Sequence, residues 1–365
     1  MISPLVQLGA KTPLMPVSAG PEVGPMQDAF GRQIQYLRIS VTDKCNLRCV
    51  YCMPEEGLPW LQRNQILSYE EIVSLVRSMA AMGLRRLRIT GGEPLVRRDL
   101  PVLVRKLRAV PGIEEISLST NAVLLARDAE ALRDAGVNRV NVSLDSLRPE
   151  RIDTIARRAG SARAIFQGLE AAERVGFAPL KINCVVMRGR NHDEIADFAR
   201  ITRERPWHIR FIEVMPTGDN LGVSRDEYVS ADEILGAVQA LGDLHPVAGP
   251  RGNGPAAYYA YPGAPGTVGV ITPMSHNFCA SCNRMRLTAD GQLRPCLFGL
   301  AQTNLRDPLR RGEAIEPLIR HTLRIKPERH WLEQGSDAGS GGLLALSQVG
   351  GLHAPARAFR ARNPR

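Results

Sequence analysis

Three cysteines, Cys45, Cys49 and Cys52, stand at C-x3-C-x2-C spacing directly after the apolar run from Tyr36 to Val41. Thiolates so spaced fit three corners of a four-iron cube and leave its fourth iron without a protein ligand. An electron-transfer protein normally supplies a fourth cysteine, because an exposed iron is labile. The missing ligand therefore points to chemistry at the cluster, with the open iron chelating a small molecule. A zinc knuckle is the plainer alternative, but no histidine lies nearby to complete four ligands.

A second trio, Cys279, Cys282 and Cys296, lies near the other end of the chain. C-x2-C with a third cysteine on a later hairpin strand is also how a structural zinc is held, and His276 is close enough in sequence to serve as a fourth ligand. Spacing alone leaves both metals open. Arg284 and Arg286 follow at once, and guanidinium forks match phosphate oxygens bidentately, which suits a polyanion better than a structural knot. The seventh cysteine, Cys184, stands alone. An odd count in close triplets is a metal pattern rather than a disulfide framework, and it implies a reducing, cytoplasmic setting.

Other groups with chemical potential punctuate strand ends. Gly91-Gly92 offers backbone without Cβ atoms where a ligand could approach, or else a tight turn. Glu93 is a candidate acceptor for an amine or hydroxyls. Polar or glycine-bearing groups close each of six apolar runs: the cysteine loop, TGGEP at 90–94, STN at 119–121, SLD at 143–145, Lys181 with Asn183, and EVMP at 213–216.

The elements that must position these groups alternate strand and helix. Strands are expected at 36–42, 86–90, 114–120, 139–144, 180–187 and 208–214. Helices are expected from a capping box at Ser68 and Glu71, at 99–110, 127–135 and 161–175, and from Asn191 with Glu194 as cap. Six units imply parallel strands joined by right-handed crossovers. Sites assembled from many consecutive strand ends belong to a barrel mouth, whereas doubly wound sheets concentrate theirs at one switch point. The fold class is thus α/β, a partial (β/α)6 TIM-like barrel. By period two, Arg88 and Thr90 share a face, as do Lys181 and Asn183, so Cys184 faces the helices as a small hydrophobe. Beyond Thr217 a helix capped by Ser230 and Glu233, a Gly/Pro-rich linker and short strands near 267–272, 285–289 and 292–297 make a small α+β domain expected to close the open side. The domains read as a disordered leader at 1–27, the barrel at 28–216, the second domain at 217–351 and an extension at 352–365.

Lys and Arg total 47 against 37 Asp and Glu, a net charge of +10. Two cubes with three thiolates each would leave about +8. That surplus suits an anionic small substrate. With no basic run interleaved with aromatics, nucleic acid is not expected as a partner. No stretch approaches ~18 uncharged apolar residues, so no membrane span is expected, and residues 1–25 lack the features of a signal peptide.

The run Arg38-Ile-Ser-Val-Thr-Asp-Lys-Cys45-Asn-Leu-Arg-Cys49-Val-Tyr-Cys52-Met-Pro54 with RITGGEPLVR at 88–97 resembles the GTP 3',8-cyclases, radical S-adenosylmethionine (SAM) enzymes of molybdenum cofactor biosynthesis. The similarity runs from about Gly31 to Gly351. The first cysteine loop alone marks only the superfamily; TGGEP, Phe211-Ile-Glu-Val-Met215 and C-x2-C-x13-C with Asn283-Arg284-Met285-Arg286 narrow it.

The resemblance implies a lyase that converts GTP to (8S)-3',8-cyclo-7,8-dihydroguanosine 5'-triphosphate, a 5'-deoxyadenosyl radical taking the hydrogen from C3'. It implies two [4Fe–4S] clusters, on Cys45, Cys49 and Cys52 and on Cys279, Cys282 and Cys296, the second meeting the guanine edge. SAM contacts would come from Tyr51, Gly92, Glu93, Ser143 and Met215. GTP contacts would come from Arg38, Arg88, Thr120, Lys181, Arg284 and Arg286. Partners implied are a flavodoxin- or ferredoxin-type electron donor and a downstream cyclic pyranopterin monophosphate synthase, with room for a homodimer. The catalytic tail would be Gly350-Gly351, yet 14 residues follow it here. Truncation after Gly351 is expected to leave activity intact or raise it. Two rivals make different demands: a peptide-modifying radical SAM enzyme would carry a richer C-terminal cysteine set, and a zinc-containing nucleic-acid binder would hold one or two zincs without sulfide.

Overall fold

The computed structural model describes residues 24–215, 223–250 and 254–330. Six strands alternate with helices: β1 (Tyr36–Ser40), α1 (Tyr69–Ala81), β2 (Arg86–Thr90), α2 (Leu100–Arg108), β3 (Glu115–Thr120), α3 (Leu125–Ala135), β4 (Arg139–Ser143), α4 (Pro149–Ala156), α5 (Ser161–Arg174), β5 (Leu180–Val186), α6 (Ile195–Glu204) and β6 (Trp207–Glu213). The strands pair in chain order and all in parallel. A sheet wound in one direction is that of a barrel; the reversal of a doubly wound sheet is absent from the described strands.

The C-terminal region follows as α7 (Ala231–Gln239), β7 (His245–Val247), β8 (Ala257–Ala260), β9 (Thr267–Ile271), β10 (Arg284–Leu287), β11 (Gln292–Arg294), β12 (Thr303–Asn304), α8 (Arg306–Arg310) and α9 (Glu316–Arg324). It does not form a sheet of its own. β9 pairs in parallel with β6, and β10 in parallel with β1, which satisfies both exposed edges of the six-stranded core. The expected closure by a small domain is thus corrected to edge extension. The order is β12-β11-β10-β1-β2-β3-β4-β5-β6-β9-β8-β7, and the barrel stays open.

Strand alternation separates the two faces. Leu37, Ile39, Leu87, Ile89, Val140, Val142, Ile182, Cys184, Ile209 and Phe211 belong to one continuous core, which confirms the reading of Cys184 as a buried hydrophobe. The other parity carries Arg38, Arg88, Ser117, Asn141, Lys181 and Arg210. Strands covered on both faces usually read as unbroken apolar runs, and barrel interiors are usually packed with Val, Ile and Leu. Here the second face is polar from strand to strand. Such a wall is built for a wet or charged occupant.

The expected helix caps were obeyed with one exception, while β8 runs inside the stretch expected as a Gly/Pro-rich linker. The boxes at Ser68/Glu71 and Ser230/Glu233 both form. The expected Asn191–Glu194 cap does not. Asn191 Nδ2 donates to the carbonyls of Asp145 (2.6 Å) and Val185 (2.8 Å), and Glu194 accepts from Ser146 Oγ and Leu147 N. Both side chains tie strand-end loops together, and α6 starts later, at Ile195. The chain is also already packed at Met26, inside the expected leader: its side chain is buried and its N–H donates to Met82 O at 2.9 Å.

Candidate active site

The first cysteine loop is gripped from two sides. On one, Gly92 N donates to Thr42 O and Glu93 N to Lys44 O, both at 2.8 Å. A Cβ on Gly91 would stand 2.5 Å from Thr42 O, and one on Gly92 only 2.3 Å from Lys44 O. The absent side chains are therefore explained by the chain's own backbone passing beneath the cysteine loop. On the other side, the last carbonyls of α4 take up loop amides, Arg48 N to Ala156 O at 2.9 Å and Val50 N to Ile155 O at 3.0 Å. Arg157 and Arg158 then donate to the carbonyls of Met53 and Asn46.

Cys45, Cys49 and Cys52 so held border a cavity of about 350 Å³. Leu47 N donates to Cys45 Sγ at 3.4 Å, as donors do for a cluster thiolate. Burial and then Asp145, Cys52 and Cys45 push the Cys49 thiol well above its ordinary pKa, and burial pushes Cys45 up to about 11. Among the described residues no three His, Cys, Asp or Glu side chains converge on a single ion. A cube asks for no such convergence, since each thiolate takes a different iron. Soft thiol donors, three in number and facing open space, fit a three-ligand cube.

The same cavity is lined by twelve of the residues expected to hold the clusters, SAM or GTP: the three cysteines with Tyr51, Gly92, Ser143, Met215, Arg38, Arg88, Thr120, Arg284 and Arg286. Register explains the arginines. Arg38 on β1 lies opposite Arg88 on β2 and opposite Arg286 on β10. Three like charges thus stand abreast on adjacent strands, an arrangement that is destabilising on its own. Burial and the neighbouring cations lower Arg38 and Arg88 to about 9 and Arg286 to about 10. The nitrogens Nε of Arg38 and Nε and Nη2 of Arg210 are buried with no acceptor among the described residues. Buried, unsatisfied donors on cations call for an anionic partner.

Other expected site residues lie farther back. Lys181 is buried, with Nζ 3.3 Å from Pro250 O and above the Tyr258 ring. Burial, then Arg139 and Arg210, lower its pKa to about 6. Glu93 does not line the cavity: its carboxylate accepts from Thr120 Oγ1 (2.7 Å), Asn121 N (2.7 Å) and Leu95 N (3.0 Å), and burial raises it to about 7. Glu213, at the end of β6, accepts from Tyr228, Ala231, Met274 and Ser275 and so anchors the loop before the second trio. Gly350 and Gly351 lie outside the described residues.

Sequence reasoning missed Arg210 as a cavity residue; Asn183 and Asp145, noted there as strand-end groups but given no role, also line the cavity. Arg210 shares the inner face of β6 with His208 by period two, a signal that was available. Asp145 accepts from Tyr51 Oη and Val185 N, both at 2.8 Å, and burial raises it to about 6.

At the second trio, Cys279 and Cys282 bracket a one-turn knuckle and Cys296 follows β11. Phe278, Leu297 and Phe298, which flank the trio, line the cavity. Burial, then the nearby Cys296 and Cys282, raise the pKa of Cys279. His276, the alternative zinc ligand, has its imidazole exposed, 3.9 Å from Asp232.

Residues 39–201 match the Radical SAM superfamily, and residues 207–332 match Molybdenum Cofactor Synthesis C. The chain is 49% identical to the GTP 3',8-cyclase of Pelotomaculum thermopropionicum, over 85% of this chain and 96% of that protein. It is 48% identical to that of Moorella thermoacetica, over 89% of this chain and all of that protein. Among solved structures, Streptococcus suis SuiB bound to S-adenosylmethionine shares the fold, with a TM-score of 0.55 at 14% identity, covering 76% of this chain and 65% of that one. The parallel barrel behind a three-cysteine loop, continued by a C-terminal region with its own trio, is accounted for by descent: this chain belongs to the GTP 3',8-cyclase family of the radical SAM superfamily.

Proposed function

We propose that this protein converts GTP and SAM to 3',8-cyclo-7,8-dihydro-GTP, the first step of molybdenum cofactor biosynthesis. Its cofactors are two [4Fe–4S] clusters, on Cys45, Cys49 and Cys52 and on Cys279, Cys282 and Cys296. The observation that carries the reading is the row Arg38–Arg88–Arg286, facing a cavity that the first trio also borders. When bound, the first cluster and SAM supply reductive carbon–sulfur cleavage and hence a hydrogen-abstracting carbon radical.

The residues of this chain supply placement. The three arginines, with Arg284 and Arg210, hold the triphosphate, and Lys181 adds charge behind them. Asn183 offers neutral hydrogen bonds on the same wall, and Thr120, its hydroxyl donated to Glu93, borders the mouth beyond it. A primary radical takes almost any C–H hydrogen within reach, so selectivity for C3' depends on holding it within about 3–3.5 Å. Tyr51, Gly92, Ser143 and Met215 border the SAM side, with Asp145 nearby. Glu93 acts as a positioning residue there, joining β2 to β3. Phe278, Leu297 and Phe298, which flank the second trio, would set its cluster on the guanine side of the cavity.

We further place the enzyme in the cytoplasm, where its seven unpaired thiols stay reduced. A flavodoxin or ferredoxin would deliver electrons, cyclic pyranopterin monophosphate synthase would take the product, and a homodimer is the assembly to test. Among the described residues no helix is long and apolar enough to cross a membrane. Anaerobic incubation with SAM, dithionite and each nucleoside triphosphate tests the activity. 5'-Deoxyadenosine should accumulate with GTP and not with ATP, GDP or guanosine; equal yield with a non-guanine nucleotide would refute the assignment.

A further inference from the structure

Lys326, two residues past α9, is buried. Its Nζ lies 2.7 Å from Pro295 O, 3.1 Å from Arg284 O and 3.6 Å from Cys282 Sγ. An ammonium has three donors and no acceptor. All three are therefore aimed at one place: Cys282 itself, the residue two beyond it, and the residue just before Cys296. None of these recorded partners is a carboxylate. A buried cation is costly without a counter-charge, and the chemistry facing this one is a thiolate.

The lysine is also fixed in place. Arg32 donates to Pro327 O (2.7 Å), Glu328 O (2.8 Å) and Cys279 O (2.8 Å), and its Nε is held by Asp28 at 2.6 Å. One side chain from before β1 thereby binds the segment carrying Lys326 to the knuckle carrying Cys279. The arrangement braces the second trio and holds a cation against it.

We propose that Lys326 is the built-in counter-ion of the second cluster and raises that cluster's reduction potential. The proposal rests on the reading that Cys279, Cys282 and Cys296 hold a [4Fe–4S] cluster. One-electron reduction by dithionite adds one negative charge to the cube, and a fixed ammonium donating to a ligand sulfur favours the more negative state. Lys326 is a positioning and tuning residue; it touches no reacting atom.

The test uses the full-length chain with Cys45, Cys49 and Cys52 replaced by alanine, reconstituted anaerobically, so that only the second cluster reports. Iron and sulfide analysis comes first, then potentiometric titration followed by EPR of the reduced cluster. Lys326→Met should shift the reduction equilibrium at least tenfold toward the oxidised form, a fall of about 59 mV for one electron. Lys326→Arg should stay near the parent. Should Lys326→Met fail to fold by circular dichroism, Lys326→Gln, which keeps a donor without the charge, should shift in the same direction. A parent that binds no iron defeats the cluster reading and the proposal with it. A parent with about four irons whose Lys326→Met and Lys326→Gln forms titrate at the parent potential defeats the proposal alone.

Discussion

The two cysteine trios adjoin one cavity but keep opposite electrostatic company. Around the first, acids gather: after burial, the Asp145 carboxylate is the next cause holding Cys49 well above its ordinary pKa, and Glu93 acts likewise on Cys45. Around the second, cations gather. Burial opposes ionisation of Cys282, yet Lys326 and Arg284 outweigh it and lower the pKa. The contrast sorts the ligands. SAM carries a sulfonium and an ammonium and belongs near acids, whereas a triphosphate belongs on the arginine row. On the proposed function, a single cavity thus keeps two charged nucleosides from exchanging places.

The sharpest way to break this comparison is to delete one trio at a time. Cys49→Ala should abolish 5'-deoxyadenosine formation altogether. Cys282→Ala should leave residual, uncoupled SAM cleavage while the cyclised product disappears, both read by chromatography of one anaerobic reaction. If the two variants behave alike, the trios do not divide the work. Next in size, Gly92→Ala drives a methyl into Lys44 O, 2.3 Å away. Reconstituted iron should fall from about eight to about four, with the second cluster retained; full iron content would show the loop is not held this way.

Smaller effects refine the basic side. Arg38→Ala or Arg286→Ala should each weaken GTP binding by about 1.5–3 kcal/mol, the range for charge-assisted hydrogen bonds, and leave SAM affinity unchanged, as calorimetry can check. Arg38→Met should also stabilise the ligand-free fold by up to about 1 kcal/mol, since it thins a row of like charges. The smallest effect concerns protons. Lys181 has a folded pKa of about 6 against about 10.4 unfolded, so between those values the unfolded chain holds an extra proton and stability rises with pH. A bound triphosphate raises the folded value. GTP binding near pH 7.5 should then take up protons, seen as a buffer-dependent binding enthalpy that Lys181→Met removes.

Much of this was legible in the sequence because the strands alternate so regularly. β2 ran from Arg86 to Thr90 as expected, and the cysteine loop, Arg88 and Ser143 all fell at the mouth. What was not legible required knowing which strands become neighbours. Nothing local says that β10 pairs with β1, so the three-arginine row, split between residue 38 and residue 286, was invisible as a row. Gly91-Gly92 showed that backbone must approach closely, but not that the approaching group is the backbone of Thr42 and Lys44. Asn191 and Glu194 had the spacing of a cap and were claimed by tertiary contacts instead. Lys326 carried no local signal, since its three acceptors come from distant positions.

The central claim is that the arginine wall fixes GTP so that C3' faces the SAM side of the cavity. The direct measurement is turnover with GTP deuterated at C3', followed by mass analysis of the 5'-deoxyadenosine. Transfer of one deuterium in the wild type, lost or scrambled to other positions in Arg38→Ala, is the predicted result. Unlabelled 5'-deoxyadenosine from the wild type, formed at a normal rate, would contradict it.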